Sequence, residues 1–166
     1  MRYCLRCCYP ENAQPTIIFD DEGVCSGCRL LESRPTINWE ERSGWLKELL
    51  EEHKAKARAA KNPYDCIIPV SGGKDSTTQV LRMLQLGANP LCVTATTCDL
   101  SELGRKNIQN LKSLGVDYVE FSPNPRVRAK LNRIGLEQVG DISWPEHVGI
   151  FTIPVRAAVQ YGVPLL

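Results

Sequence analysis

Long apolar runs are missing from this chain of 166 residues. Nowhere do eighteen successive apolar residues occur, and even the C-terminal TIPVRAAVQYGVPLL is broken by Arg156 and Gln160, so a membrane-crossing helix is not expected. The first thirty residues hold Arg2, Arg6, Asp20, Asp21 and Glu22 but no apolar stretch of signal-peptide length. The reading is therefore a soluble, cytoplasmic protein with no membrane partner. Net charge is equally scarce. Lys+Arg 20 against Asp+Glu 19 leaves +1 at pH 7, which supplies no long-range basic field to gather nucleic acid. Repeats and low-complexity tracts are absent, and 43% hydrophobic with 23% charged residues excludes disorder and collagen-like repetition.

What the chain does hold is cysteine. Eight cysteines without a signal peptide point to metal ligands or reduced thiols rather than to a disulfide framework. Residues 1–36 are rich in Cys, Pro and Gly and lack apolar periodicity, so burial alone cannot hold them. Cys4-x2-Cys7 and Cys25-x2-Cys28, separated by seventeen residues, have the spacing of a four-thiolate zinc site, with Gly23 and Gly27 suited to its tight turns. Cys4-x3-Cys8 is an alternative pairing, and free cysteines or an iron–sulfur site are the plainer ones. Four protein thiolates leave no open position for substrate, so such a zinc ion is structural.

The rest of the chain alternates. Residues 38–60 read as a helix capped by Asn38, with Trp39, Leu46, Leu49, Leu50, His53 and Ala57 near one face, and Asn62-Pro63 stops it. Cys66–Val70 reads as a buried strand, Ser76–Leu86 as a helix, Leu91–Thr96 as a strand, Ser101–Leu114 as a helix and Tyr118–Phe121 as a strand. Further helices are expected over 126–139 and 155–161, with Val163–Leu166 opening another buried strand. The pattern predicts an α/β fold with a parallel sheet, flanking helices and a ligand at the carboxyl ends of the strands. It divides into a zinc ribbon (1–36), a connecting helix (37–63) and an α/β domain (64–166) that looks truncated, because the sequence stops inside an apolar half-strand.

Ser71-Gly72-Gly73-Lys74-Asp75-Ser76 lies between the first strand and its helix. Two glycines let the backbone approach an anion, the helix N-terminus directs N–H groups at it, and Ser71, Lys74 and Ser76 add donors. The spacing is not that of a Walker A loop. Asp75 would repel a phosphate unless Mg²⁺ lay between them, so a metal-bound nucleotide is the expected guest. An ordinary strand-to-helix turn is the bland alternative.

This hexapeptide resembles the PP-loop of the ATP pyrophosphatases, which cleave ATP between the α and β phosphates and adenylate a carbonyl or amide oxygen. Tyr3-Cys4-x2-Cys7 with Pro10, Ile18-Phe19-Asp20, Gly23-Val24-Cys25-x2-Cys28-Arg29, Ile37-Asn38-Trp39-x2-Arg42 and Tyr64-Asp65-Cys66 precede or lead into it. Gly140-Asp141, Trp144-Pro145, His147-x-Gly149-Ile150-Phe151-Thr152, Ile153-Pro154 and Pro164-Leu165-Leu166 follow. Together these segments are similar to the N-acetyl sugar amidotransferases of surface polysaccharide (lipopolysaccharide) biosynthesis, over nearly the whole chain. The resemblance implies an adenine nucleotide alpha hydrolase-like fold that continues past Leu166 through a Gly-Glu-Asn segment. It also implies ATP and Mg²⁺ beside the structural zinc, a nucleotide-linked N-acetyl sugar as substrate, and a glutaminase subunit that supplies ammonia. Lys74 and Asp75 would be its catalytic residues, the first neutralising phosphate charge and the second holding Mg²⁺. Ala95 and Thr96 would join residues 71–76 in binding the nucleotide.

Other signals are weaker. Cys66 and Cys92 read as packing residues, which leaves Cys98 as the plausible reactive thiol. His147 is either a substrate contact or a structural histidine, and Arg126, Arg128, Lys130 and Arg133 are either a solvated helix face or a grip on phosphates or an acidic partner. A tRNA-thiolating PP-loop enzyme and a non-catalytic zinc-ribbon interaction module are the rival readings; near-neutral charge disfavours the first.

Overall fold

The computed structural model describes residues 1–12, 16–34, 36–96 and 100–166. They form two compact units, Met1–Arg42 and Ser43–Leu166. The division falls inside a helix, α2 (Trp39–Ala59), rather than on either side of it.

The first unit has almost no apolar interior. Among its described residues the buried side chains are Cys4 and Cys25. Two isolated antiparallel bridges, Tyr3 with Pro10 and Phe19 with Cys25, and one short helix, α1 (Ser26–Glu32), make up its regular structure. Asp20 organises the turn before α1. One of its carboxylate oxygens accepts the amides of Glu22 (3.1 Å) and Val24 (2.9 Å), and Gly23 takes the left-handed φ of +72° that this turn needs.

The second unit is a three-stranded parallel sheet in the order β1 (Cys66–Pro69), β2 (Pro90–Ala95), β3 (Asp117–Phe121). Ile68 stands opposite Cys92, and Cys92 opposite Tyr118. Both faces are covered, which is why β1 and β2 are nearly continuous apolar runs. On one face Cys66, Ile68 and Cys92 pack with Leu50 of α2, Val80 of α3 (Lys74–Gln85) and Leu111 of α4 (Glu102–Lys112). On the other, Ile67, Leu91 and Val93 pack with Val163 and with Ala157 of α6 (Trp144–Tyr161). The remaining helix, α5 (Pro125–Val139), starts on Asn124, whose side chain accepts from the amides of Arg126 and Val127, and ends on Gly140 at φ 75°.

Three expectations need correction. Trp39, Leu46 and Leu49 are exposed, so the buried stripe of α2 narrows to Leu50 and Ala57, and His53 is half-buried. The helix expected over 155–161 begins eleven residues earlier, at Trp144, and runs through Pro154. Pro145 is tolerated in the first turn, where its missing N–H is not needed, and Pro154 is buried in a helix held by its packing on the sheet. Val163–Leu166 is not a strand, although Val163 is buried and the Ile67 amide donates to the Leu165 carbonyl at 2.8 Å. Close by, Asn62 Nδ2 donates to the carbonyls of Tyr161 (2.7 Å) and Gly162 (3.2 Å).

Candidate functional site

Each unit carries one candidate site. In the first, the sulfurs of Cys4, Cys7, Cys25 and Cys28 all lie within 4.8 Å of one another. Cys25 is the N-cap of α1 and Cys28 lies in its first turns, while the Cys4–Cys8 turn closes through the Cys8 amide on the Cys4 carbonyl (2.9 Å). Cys8 itself adopts φ 60°, is exposed and stands outside the cluster. A tetrahedral ion with metal–sulfur bonds of about 2.3 Å requires S···S edges of about 3.8 Å. The Cys7–Cys25 and Cys4–Cys28 separations are 3.7 and 4.0 Å, so the group fits a metal ion and is compatible with structural zinc.

The surroundings favour thiolate at one sulfur. Burial alone would push the Cys4 thiol up, but the amides of Cys7, Arg6 and Cys25 outweigh it and bring its pKa down to about 6. Burial and the neighbouring sulfurs of Cys7, Cys25 and Cys4 push Cys28 up to about 12. Around the cluster, Arg29 pairs with Asp20 (2.7 Å), Glu22 and Glu32 (3.0 Å), and Arg6 pairs with Glu32. Arg29 holds the Asp20 carboxyl below its usual range, with the Val24 amide contributing. This ion network ties α1, through Arg29 and Glu32, to the turn that precedes it and to Arg6.

In the second unit, Ser71–Ser76 joins β1 to α3 at the carboxyl edge of the sheet. Gly72 is buried at φ +77°, and a Cβ there would stand 3.0 Å from Ile108 Cδ1. Gly73 is the N-cap of α3, so the first-turn amides from Lys74 onward lack intrahelical acceptors. Ser76 Oγ and Thr77 Oγ1 both donate to the Gly73 carbonyl, at 3.1 and 2.9 Å. The side chains of Lys74 and Asp75 are 90% and 91% exposed and lie 3.4 Å apart, open to an incoming ligand.

Beside this loop a cavity of about 1130 Å³ opens over the ends of β1 and β2. Its sheet side is Val70, Ser71, Val93, Thr94, Ala95 and Thr96, and its other wall comes from α5 and α6. Ser71, Ala95 and Thr96 thus line it, whereas Gly72, Gly73, Lys74, Asp75 and Ser76 do not. A smaller hollow of about 110 Å³ adjoins it through Ala95, Thr96 and Glu146. Thr96 Oγ1 donates to Glu120 (2.7 Å), and its amide to the Phe121 carbonyl (2.8 Å). Tyr118 Oη is buried near Thr94 without a hydrogen bond of good geometry.

Of the remaining candidates, His147 lines the large cavity with its Nδ1 3.9 Å from Asp141 Oδ2, both exposed. Arg133 lines the same cavity and pairs with Glu137, and Arg128 lines the smaller hollow. Cys66 and Cys92 are buried in the core, and Cys98 lies outside the described residues. Sequence reasoning missed Asn132, Glu146 and Tyr118, which no local motif marks. No helix among the described residues is long and apolar enough to cross a membrane. A scan of the chain against protein-family models finds no match, and a search of curated proteins finds none.

Proposed function

We propose that this chain is an ATP-dependent amidotransferase of the PP-loop type, with a structural zinc ribbon in its first unit. The observation that supports this reading is the Ser71–Ser76 loop at the carboxyl end of a parallel strand, opening α3 beside a cavity of about 1130 Å³. The substrate would be a nucleotide-linked N-acetyl sugar of surface polysaccharide biosynthesis in the cytoplasm, and a glutaminase would deliver the ammonia.

The chemistry follows from the weakness of an amide as an electrophile. The acetamido oxygen attacks the α-phosphorus of ATP, the α–β anhydride breaks, and pyrophosphate leaves. Ammonia then adds to the O-adenylylated carbon, the C–O bond breaks, and the former acetamido oxygen departs in AMP. The sum is amide, ammonia and ATP giving amidine, AMP and pyrophosphate. The amides at the start of α3 and the Lys74 ammonium stabilise the departing charge. Asp75, exposed and with Lys74 as its ion-pair partner among the described residues, would hold Mg²⁺, whose charge when bound offsets that of the phosphates. Ala95 and Thr96 would contact the nucleotide.

The test is product analysis with ATP, Mg²⁺, ammonium and a panel of nucleotide-linked N-acetyl sugars. AMP, pyrophosphate and the mass change of oxygen replaced by NH are expected together. AMP release only with tRNA and a sulfur donor would transfer the assignment to RNA thiolation, and failure to bind ATP would leave a non-catalytic interaction module.

A further inference from the structure

The α5–α6 wall of the large cavity carries a carboxylate, that of Glu146, held by a side-chain amide. Asn132 Nδ2, on α5, donates to the two Glu146 oxygens at 2.8 and 2.7 Å and to the Ile142 carbonyl at 2.6 Å. Glu146 is half-buried, and among the described residues it forms no ion pair. A partly desolvated carboxylate without a countercharge costs free energy, and a neutral amide offsets this only in part. Two carboxylate oxygens offer about four acceptor sites, so Asn132 fixes the group's direction while leaving acceptor capacity unused. Glu146 also borders both the large cavity and the smaller hollow, next to Ala95 and Thr96.

Leu136, Ile142, Ile150 and Phe151 give the wall around it apolar surface, while Arg133 and His147 also line the cavity and Arg128 the hollow. An acceptor-only group beside apolar surface fits a ligand that presents several hydrogen-bond donors on one edge and C–H surface on its face, as a sugar ring does. A phosphate in direct contact with Glu146 would be repelled by it.

We infer that Glu146, oriented by Asn132, is the hydrogen-bond acceptor that seats the sugar end of the substrate against the α5–α6 wall, with the nucleotide's phosphates directed away from it. This rests on the amidotransferase reading and adds to it the residues that position the acceptor.

Saturation-transfer NMR on the 166-residue chain tests it, with UDP-N-acetylglucosamine, UDP-N-acetylgalactosamine and free N-acetylglucosamine as probes and Mg·ATP binding measured in parallel. Saturation is expected on the sugar-ring protons of at least one probe. Glu146→Gln should weaken that binding by about 10- to 100-fold, the range for a hydrogen bond to a charged group. Asn132→Ala, which leaves the carboxylate in place but unclamped, should cause a smaller loss. An unchanged thermal midpoint and unchanged amide dispersion in both variants report that the unit is still folded.

Equal sugar binding by wild type and Glu146→Gln, saturation on uridine alone, or Mg·ATP binding with none of the three sugars bound would each overturn the inference and leave the ATP-dependent reading standing. A wild-type chain that binds neither Mg·ATP nor any probe would overturn that reading, and this inference with it.

Discussion

Gly72 shows how one backbone angle conditions a site. Its φ of +77° lies where a side chain is strained, and its missing Cβ makes room for Ile108. Gly72→Ala is expected to cost on the order of 1–2 kcal/mol from the left-handed conformation alone, and the close approach to Ile108 adds to that. A lowered thermal midpoint together with weaker Mg·ATP binding is the expected result; an unchanged loop affinity would show that the turn tolerates the methyl group. Asp75 makes a separate prediction. Because its carboxylate is exposed beside Lys74, Asp75→Asn should weaken Mg·ATP binding far more than metal-free ATP binding. Equal losses in the two titrations would remove Asp75 as a metal ligand. Both residues were legible in the hexapeptide, since glycine and a carboxylate in a phosphate-type loop each need a reason. Glu146 and Asn132 were not, because their partnership joins positions fourteen residues apart on two helices.

At the scale of elements, α1 and the turn before it depend on sulfur. With Cys4 and Cys25 the buried side chains of the first unit's described residues, no apolar core is there to substitute for a metal. Cys25→Ser is expected to abolish stoichiometric zinc and to broaden the amide signals of residues 1–36, while those of the sheet keep their dispersion. Full zinc content in that variant would dismiss the four-thiolate assignment. The opposite holds for β2, whose Leu91 is fully buried between β1, β3 and α6. Leu91→Ala should lose about 2–5 kcal/mol of unfolding free energy in denaturant titration. Strands and cysteine pairs could be read from the sequence because alternation and spacing are local signals. The start of α6 could not, because Pro145 and Pro154 both stand inside it. The helix holds both, Pro145 because it lies in the first turn and Pro154 because the residues around it pack on Ile67, Leu91 and Val93.

For the whole second unit, buried thiols set an alkaline limit. Burial pushes Cys66 up to about 11, with the Asp65 charge adding to it, and Cys92 up to about 12, with Cys66 adding. The folded unit therefore retains protons that an unfolded chain releases from its ordinary value of 9.0. Stability is full below that pH and is lost as pH rises through it toward the folded values. Denaturation midpoints should fall between pH 9 and 11 and fall less in Cys92→Ala; a profile as steep without the thiol would assign the loss elsewhere. The cavity that joins the ends of β1 and β2 to α5 and α6 was not legible as a cavity, since its walls meet only after the sheet has formed. The bonds that join Asn62 to Tyr161 and Gly162 connect positions 99 and 100 residues apart. Contacts of that separation form slowly, because a long loop must close before they stabilise anything. During synthesis β1 is thus complete long before Leu165 arrives to accept its Ile67 amide. For that interval its outer edge is open to other chains, so weaker expression or lower temperature, which limit encounters between unfinished chains, should raise the folded fraction, and slower elongation should lower it.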